Sequence, residues 1–155
     1  MQRLGLPTLI LLGIVQLVPV RRPNPMVRQE IRAPAEVMAV LRRSCWDCHS
    51  NQTRWPWYSR LAPASWLVSR DVMRGRRSMN FSEWPVEDLE LAATHMDQID
   101  EQVSSLGMPP AAYVVLHPDA RLTEADRQLL LDWVKLVNGR EAPIGRRLGD
   151  PHGLP

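Results

Sequence analysis

Only two cysteines occur in these 155 residues, Cys45 and Cys48, and only four histidines. A structural zinc centre wants four ligands, and beyond Cys45, Cys48 and His49 the chain offers His95, His117 and His152, none at finger-like spacing. No stretch alternates apolar and polar residues over the length of a strand, so no sheet is announced. The βαβ pattern that would support a thioredoxin-like dithiol is missing with it. A net charge of +2 is too small to mark a nucleic-acid binder. Phenylalanine is reduced to Phe81, beside six tryptophans. One long apolar run exists, Leu4 to Val20, preceded by Arg3. It closes on Leu17-Val18-Pro19-Val20-Arg21-Arg22 without a small-x-small cleavage site, and no cysteine stands near residue 20 to take a lipid.

What is present is concentrated in Cys45-Trp46-Asp47-Cys48-His49. C-x-x-C-H is the sequence form of c-type haem attachment. Two thiols three positions apart can each add to a haem vinyl group, and the next residue's imidazole can then ligate the iron as proximal ligand. A plain disulfide would leave His49 without a role. The expected cofactor is one covalently bound haem c.

The chain divides by pattern into an N-terminal signal anchor or transmembrane helix (1–22), a linker (23–33), a haem-binding domain (34–138) and a flexible tail (139–155). The domain is small enough for its own apolar core to be marginal, and a buried haem would complete that core. The expected fold is all-α: a small cytochrome-c-like domain with an N-terminal membrane-anchor helix. A first helix starts with Pro34 in its first turn and runs straight into Cys45. A second spans Pro63 to Arg74 and is stopped by Gly75. A third carries Leu89, Ala93, Met96, Ile99, Val103 and Leu106 at steps of three and four, with Gly107 as a left-handed cap. The last opens at Thr123, with Asp126 in the place of the usual capping-box glutamate, and buries Leu129, Leu130, Trp133 and Val137.

The segments CWDCHSNQTRWPWYSRLAPASWLVSRDV, GRRSMNFSEW and GMPPAAYVVLHPDARLT, between Ser44 and Trp133, resemble the bacterial haem-binding domain family of short, membrane-tethered, cytochrome-c-like proteins. C-x-x-C-H is shared by all c-type cytochromes, whereas N-x-T-x-W-P-W-Y and N-F-S-E-W mark this family. The resemblance implies attachment on the outside of the bacterial inner membrane, with the haem domain facing the periplasm; a soluble periplasmic form after signal cleavage is the alternative. It overrules the arginine count, since Arg21, Arg22 and Arg28 after the apolar run would by themselves place the domain in the cytoplasm.

The sixth iron position decides the chemistry. Met108, before Pro109 and Pro110, stands where many c-type cytochromes carry their distal thioether, and His117 is the rival. The proximal histidine's second N–H calls for a loop carbonyl, for which Pro56 is the candidate. Arginine dominates from Arg54 to Arg77 and acid from Glu83 to Glu101, so Arg54, Trp55, Trp57, Tyr58 and Trp66 are candidates for the haem pocket or its propionates. With both axial positions filled by protein, the expected role is electron transfer with redox partner proteins at the inner membrane. No enzyme activity and no small-molecule substrate is inferred. A haem-based peroxidase or gas or redox sensor with a labile sixth ligand is the alternative.

Overall fold

The protein is described by a computed structural model covering residues 5–141. Among these residues regular structure is helical: α1 (Gly5–Val15), α2 (Ala35–Ser44), α3 (Trp46–His49), α4 (Ala64–Ser78), α5 (Leu89–Ser104), α6 (Ala111–Leu116) and α7 (Glu124–Glu141), with 3-10 turns at Trp57–Arg60 and Pro118–Ala120. The only extended pairing among them is one parallel bridge between Gln29 and Glu83. The chain forms two compact units, residues 5–32 with 45–84 and residues 33–44 with 85–141.

Within the described residues the N-terminal apolar run is shorter than the transmembrane helix expected over 1–22. α1 has eleven residues, about 16 Å at the rise of an α-helix, against a hydrocarbon core of about 30 Å. No helix among the described residues is long and apolar enough to cross a membrane. The local reason lies just after Val15. The chain turns through Gln16 and Leu17, the Gln16 side chain bonds forward to Ala62, and Pro19 has no N–H with which to continue a helix.

Residues 23–32, expected as a linker, are strapped to the rest of the first unit. The Arg28 and Gln29 amides donate to the Ser82 carbonyl, Ile31 N–H to Phe81, and Trp84 N–H to the Gln29 carbonyl at 2.8 Å. Ile31 is buried there beside the Phe81 segment.

In the second unit α5 packs on α7, and α2 lies against α7. The shared core is Val37, Val40 and Leu41 from α2, Ala92, Met96, Ile99 and Val103 from α5, and Leu130, Trp133 and Val134 from α7. Leu89 and Leu106, expected on the buried face of α5, are exposed at its two ends. α5 opens with Asp88 accepting from Leu91 N–H. It closes with the left-handed residue at Leu106 (φ 60°), one position before the glycine expected there. Leu106 N–H reaches the Val103 carbonyl and Gly107 N–H the Gln102 carbonyl, the paired bonds of a Schellman ending. Counting from those bonds puts Gly107 one place past the left-handed residue. The six-residue α6 was not foreseen: two prolines open it, and AAYVVL is too short to show a period. α7 runs to Glu141 through Gly139, where the tail was expected to begin; the rest of that tail, 142–155, with His152, lies outside the described residues.

The capping box at Thr123 forms with aspartate. Thr123 N–H and Oγ1–H donate to Asp126 Oδ2 at 2.8 and 2.7 Å, and Asp126 N–H donates back to Thr123 Oγ1. Arg43 of α2 donates to the same oxygen at 2.6 Å. Burial of the carboxyl works to raise its pKa, but Arg43 and Thr123 outweigh it and hold it below the ordinary aspartate value. Asp126→Ala should therefore cost about 1 kcal/mol of stability at neutral pH, the worth of a helix cap. A depressed carboxylate pKa contributes stability above the unfolded-state value of 3.8 and loses it as pH falls through the folded value. Denaturant titrations of the two proteins should thus differ at pH 7 and converge at about pH 2, and an equal difference at both pH values would contradict the assignment.

Candidate functional site

The C-x-x-C-H string folds as a single helical turn. α2 ends at Ser44, Cys45 breaks the regular geometry (φ −122°, ψ −28°), and Trp46–His49 form α3. The expected uninterrupted run from α2 into the motif is therefore broken for one residue. Cys48 and His49 N–H both return to the Cys45 carbonyl, at 3.2 and 3.0 Å. This closes the five-residue loop and gathers Cys45, Cys48 and His49 on one short element. Both cysteines are half-buried. Burial, then Asp47 and Asp71, push the Cys48 thiol up to about 11, with Arg76 opposing, so at neutral pH it is a protonated thiol.

The imidazole is held by a backbone carbonyl. His49 Nδ1 lies 3.1 Å from the Met79 carbonyl oxygen. A carbonyl can only accept, so the proton is on Nδ1 and the lone pair on Nε2. Burial lowers the histidine's pKa below its usual 6.5, while the Met79 and Gly75 carbonyls pull the other way. The ring is thus neutral at physiological pH. Pro56, expected to supply this carbonyl, instead accepts from the amide and hydroxyl of Ser59, at 3.0 and 2.6 Å.

The Met79 carbonyl is placed by a buried polar network. Phe81 N–H donates to the His49 carbonyl at 2.7 Å. Asn51 N–H donates to Ser82 Oγ, and Asn51 Oδ1 accepts from Asn80 Nδ2 at 2.9 Å. The Asn51 amide also donates to the Met26 carbonyl and Glu83 Oε1, and Asn80 Oδ1 accepts from Ser82 N–H. Asn51 and Ser82 are almost wholly buried, and the bonds of Asn51 to Ser82, Asn80 and Glu83 join the segment after His49 to the segment after Met79. Phe81 fills the apolar side, stacked on Trp46 at 5.5 Å and 5.9 Å from the His49 ring.

α4 closes the turn from behind. Gly75, expected to stop this helix, lies inside it, and α4 continues to Ser78. A Cβ at Gly75 would stand 2.5 Å from the Cys48 carbonyl oxygen, so glycine here is a requirement of helix approach. The next residue, Arg76, ties the loops: Nε donates to the Ser50 carbonyl at 2.7 Å, Nη1 to the Pro23 carbonyl, and Nη2 to Thr53 Oγ1 and Asn24 Oδ1.

The pocket candidates have their own surroundings. Arg54 pairs with Asp47 inside the motif, at 3.3 Å, and Trp55 Nε1 donates to Asn24 Oδ1. Trp57 is 74% exposed and edge-on to Tyr58, and Trp66 is exposed on α4. The Tyr58 phenol is half-buried and shifted upward, by burial first and then by Asp47 and Cys48. Met108 and His117 belong to the second unit. Met108 is 37% exposed, and its N–H reaches the Gln102 carbonyl. His117 is half-buried at the end of α6, its ring stacked on Tyr113 at 4.2 Å and its Nδ1 3.1 Å from the Tyr113 carbonyl.

The haem-binding domain family matches this chain over residues 10–136. The chain belongs to that family. No curated protein and no solved structure matches it. Haem binding follows from membership, and the residues present fit the group. Histidine ligation of haem needs a neutral imidazole with one unprotonated ring nitrogen, and the Met79 carbonyl fixes such a tautomer at His49. Among the described residues no three His, Cys, Asp or Glu side chains converge as a bare metal ion would require.

Sequence reasoning missed Gly75 as a contact residue, Arg76, and the Asn51–Asn80–Ser82 network. Its signal was present: Asn51 and Thr53 are the polar positions of N-x-T-x-W-P-W-Y, and Asn80, Ser82 and Glu83 those of N-F-S-E-W. Read as markers of kinship, Asn51 of the first turns out to bond to Asn80, Ser82 and Glu83 of the second, while Thr53 bonds to Asp47 and Arg76.

Two glycine substitutions separate helix propensity from packing in this haem-binding domain. Gly139→Ala, in α7 with open space around it, should stabilise by up to about 1 kcal/mol. Gly75→Ala gains the same propensity but forces α4 off α3, at about 1–3 kcal/mol for overpacking, and should be net destabilising. Thermal unfolding of both variants checks the sign, and a stabilised Gly75→Ala protein would refute the close approach.

Proposed function

We propose that this chain is a monohaem c-type cytochrome domain that carries single electrons on the periplasmic side of the bacterial inner membrane, exchanging them with redox partner proteins. The observation that carries the reading is the His49–Met79 bond, because it leaves one ring nitrogen with an available lone pair next to two thiols on the same helical turn. Cys45 and Cys48 would each add S–H across a vinyl group to give thioethers, and His49 Nε2 would be the proximal ligand. Haem, when bound, supplies an iron that changes oxidation state by one electron. Export of the chain is implied by c-type attachment.

For the distal position Met108 is the proposed ligand. A thioether there holds iron at a higher potential than a second imidazole would. His117 is the specific rival, because its stacking on Tyr113 and its Nδ1 contact at 3.1 Å already orient its ring. Filling both axial positions from the protein leaves the iron without an open site and favours a carrier over a peroxidase or sensor.

Covalent attachment is checked by acid–acetone extraction and denaturing electrophoresis. The pigment should stay with the wild-type chain and be lost from the Cys45→Ala/Cys48→Ala double variant, and extractable haem in the wild type would end the c-type reading.

Ligation is checked by optical spectra. Met108→Ala should abolish the weak long-wavelength band of ferric thioether ligation, lower the potential and admit carbon monoxide, while His117→Ala leaves the band in place. The reverse pattern would assign the ligand to His117. Ready carbon monoxide binding by the wild type would move the reading to a peroxidase or sensor.

A further inference from the structure

α1 is apolar on all sides, and the fold leaves it uncovered. Leu6 and Leu9 are 70% and 66% exposed, and Ile10, Leu11, Leu12 and Ile14 are exposed with them. A helix apolar all round belongs inside something apolar. At about 16 Å it matches the hydrocarbon depth of one leaflet.

The exit from α1 is pinned to the rest of its unit. The Gln16 side chain makes a two-way contact with Ala62, Nε2 donating to the carbonyl at 3.2 Å and Oε1 accepting from the amide at 3.0 Å. Arg22 donates to the Ser59 carbonyl at 3.0 Å, and the Ser69 hydroxyl to the Arg21 carbonyl at 2.8 Å. The segment leaving α1 therefore lies along the Trp57–Arg60 turn and the first half of α4.

Large apolar groups are exposed there as well, Trp57, Leu61, Trp66 and Leu67. From Trp66, Arg70, Arg74 and Arg77 follow along α4 at steps of four, four and three, with Met73 beside them. They form one outer face, opposite the buried Ser65 and Val72. Asp71 is the only acid in α4, and Arg70 pairs with it at 3.1 Å.

We propose that α1 and this face of α4 together seat the first unit on an anionic phospholipid bilayer, from one side and without a spanning helix. α1 enters one leaflet, Trp57 and Trp66 lie at headgroup level, and Arg60, Arg70, Arg74 and Arg77 meet the headgroup phosphates. Charge complementarity alone would equally suit an acidic protein. Continuity of the basic face with an uncovered apolar helix favours lipid, because only a bilayer offers an anionic surface with hydrocarbon directly beneath it. The inference uses no haem ligand and stands independently of the haem chemistry.

The test uses the full-length holoprotein with vesicles of phosphatidylglycerol and, separately, of phosphatidylcholine. Sedimentation should show tighter binding to phosphatidylglycerol, and residues 57–77 should gain more protection from hydrogen exchange on those vesicles than on phosphatidylcholine. Arg70→Gln/Arg74→Gln/Arg77→Gln should weaken phosphatidylglycerol binding roughly 100-fold while leaving phosphatidylcholine binding unchanged. An unaltered haem spectrum shows that the variant is folded, since the inner face of α4 is untouched. Trp57→Ser/Trp66→Ser should weaken binding to both vesicles. Equal affinity for the two lipids, or a triple variant that binds phosphatidylglycerol as the wild type does, would overturn the proposal. Protection of 57–77 by soluble polyglutamate but not by vesicles would assign the face to an acidic protein.

Discussion

The Met79 carbonyl that accepts from His49 is the constraint on which the rest of the first unit depends. One bond sets the tautomer, the ring orientation and the nitrogen left for a metal. A backbone carbonyl in a loop holds a position only if the loop is itself immobilised, and here the immobilisation is polar. Asn51, Asn80 and Ser82 satisfy one another and the adjoining backbone in a buried setting, where an unpaired group would cost about 1–3 kcal/mol. Because each member needs the others, the segment after the haem motif and the segment after Met79 are locked as a pair.

The same small unit resolves a conflict between packing and motif geometry. A four-residue helical turn cannot hold its own direction, so another element must support it closely. α4 does this by presenting Gly75 to the Cys48 carbonyl, at the expense of the helix propensity an alanine would bring. Arg76, one residue on, uses its planar group to gather Ser50, Pro23, Asn24 and Thr53. One turn of α4 thus supplies both the closest contact and the widest hydrogen-bonding reach, and the outer face of the helix is left for arginines and Trp66.

The sequence by itself determined the haem-binding family and the helical class. C-x-x-C-H is legible locally, because its two cysteines and histidine lie within five consecutive residues. Periodicity placed α5 and the start of α2, and the Thr123–Asp126 box placed the start of α7, since caps and amphipathic faces are written within a few residues. Tertiary structure decided what depends on neighbours distant in the chain. It showed Gly75 as a contact and not a stop, Met79 and not Pro56 as the carbonyl partner, and residues 23–32 as a strap bonded to Phe81 and Ser82. It also cut the apolar run to an eleven-residue helix, because Gln16 bonds to Ala62, a partner 46 positions away that no local pattern reveals.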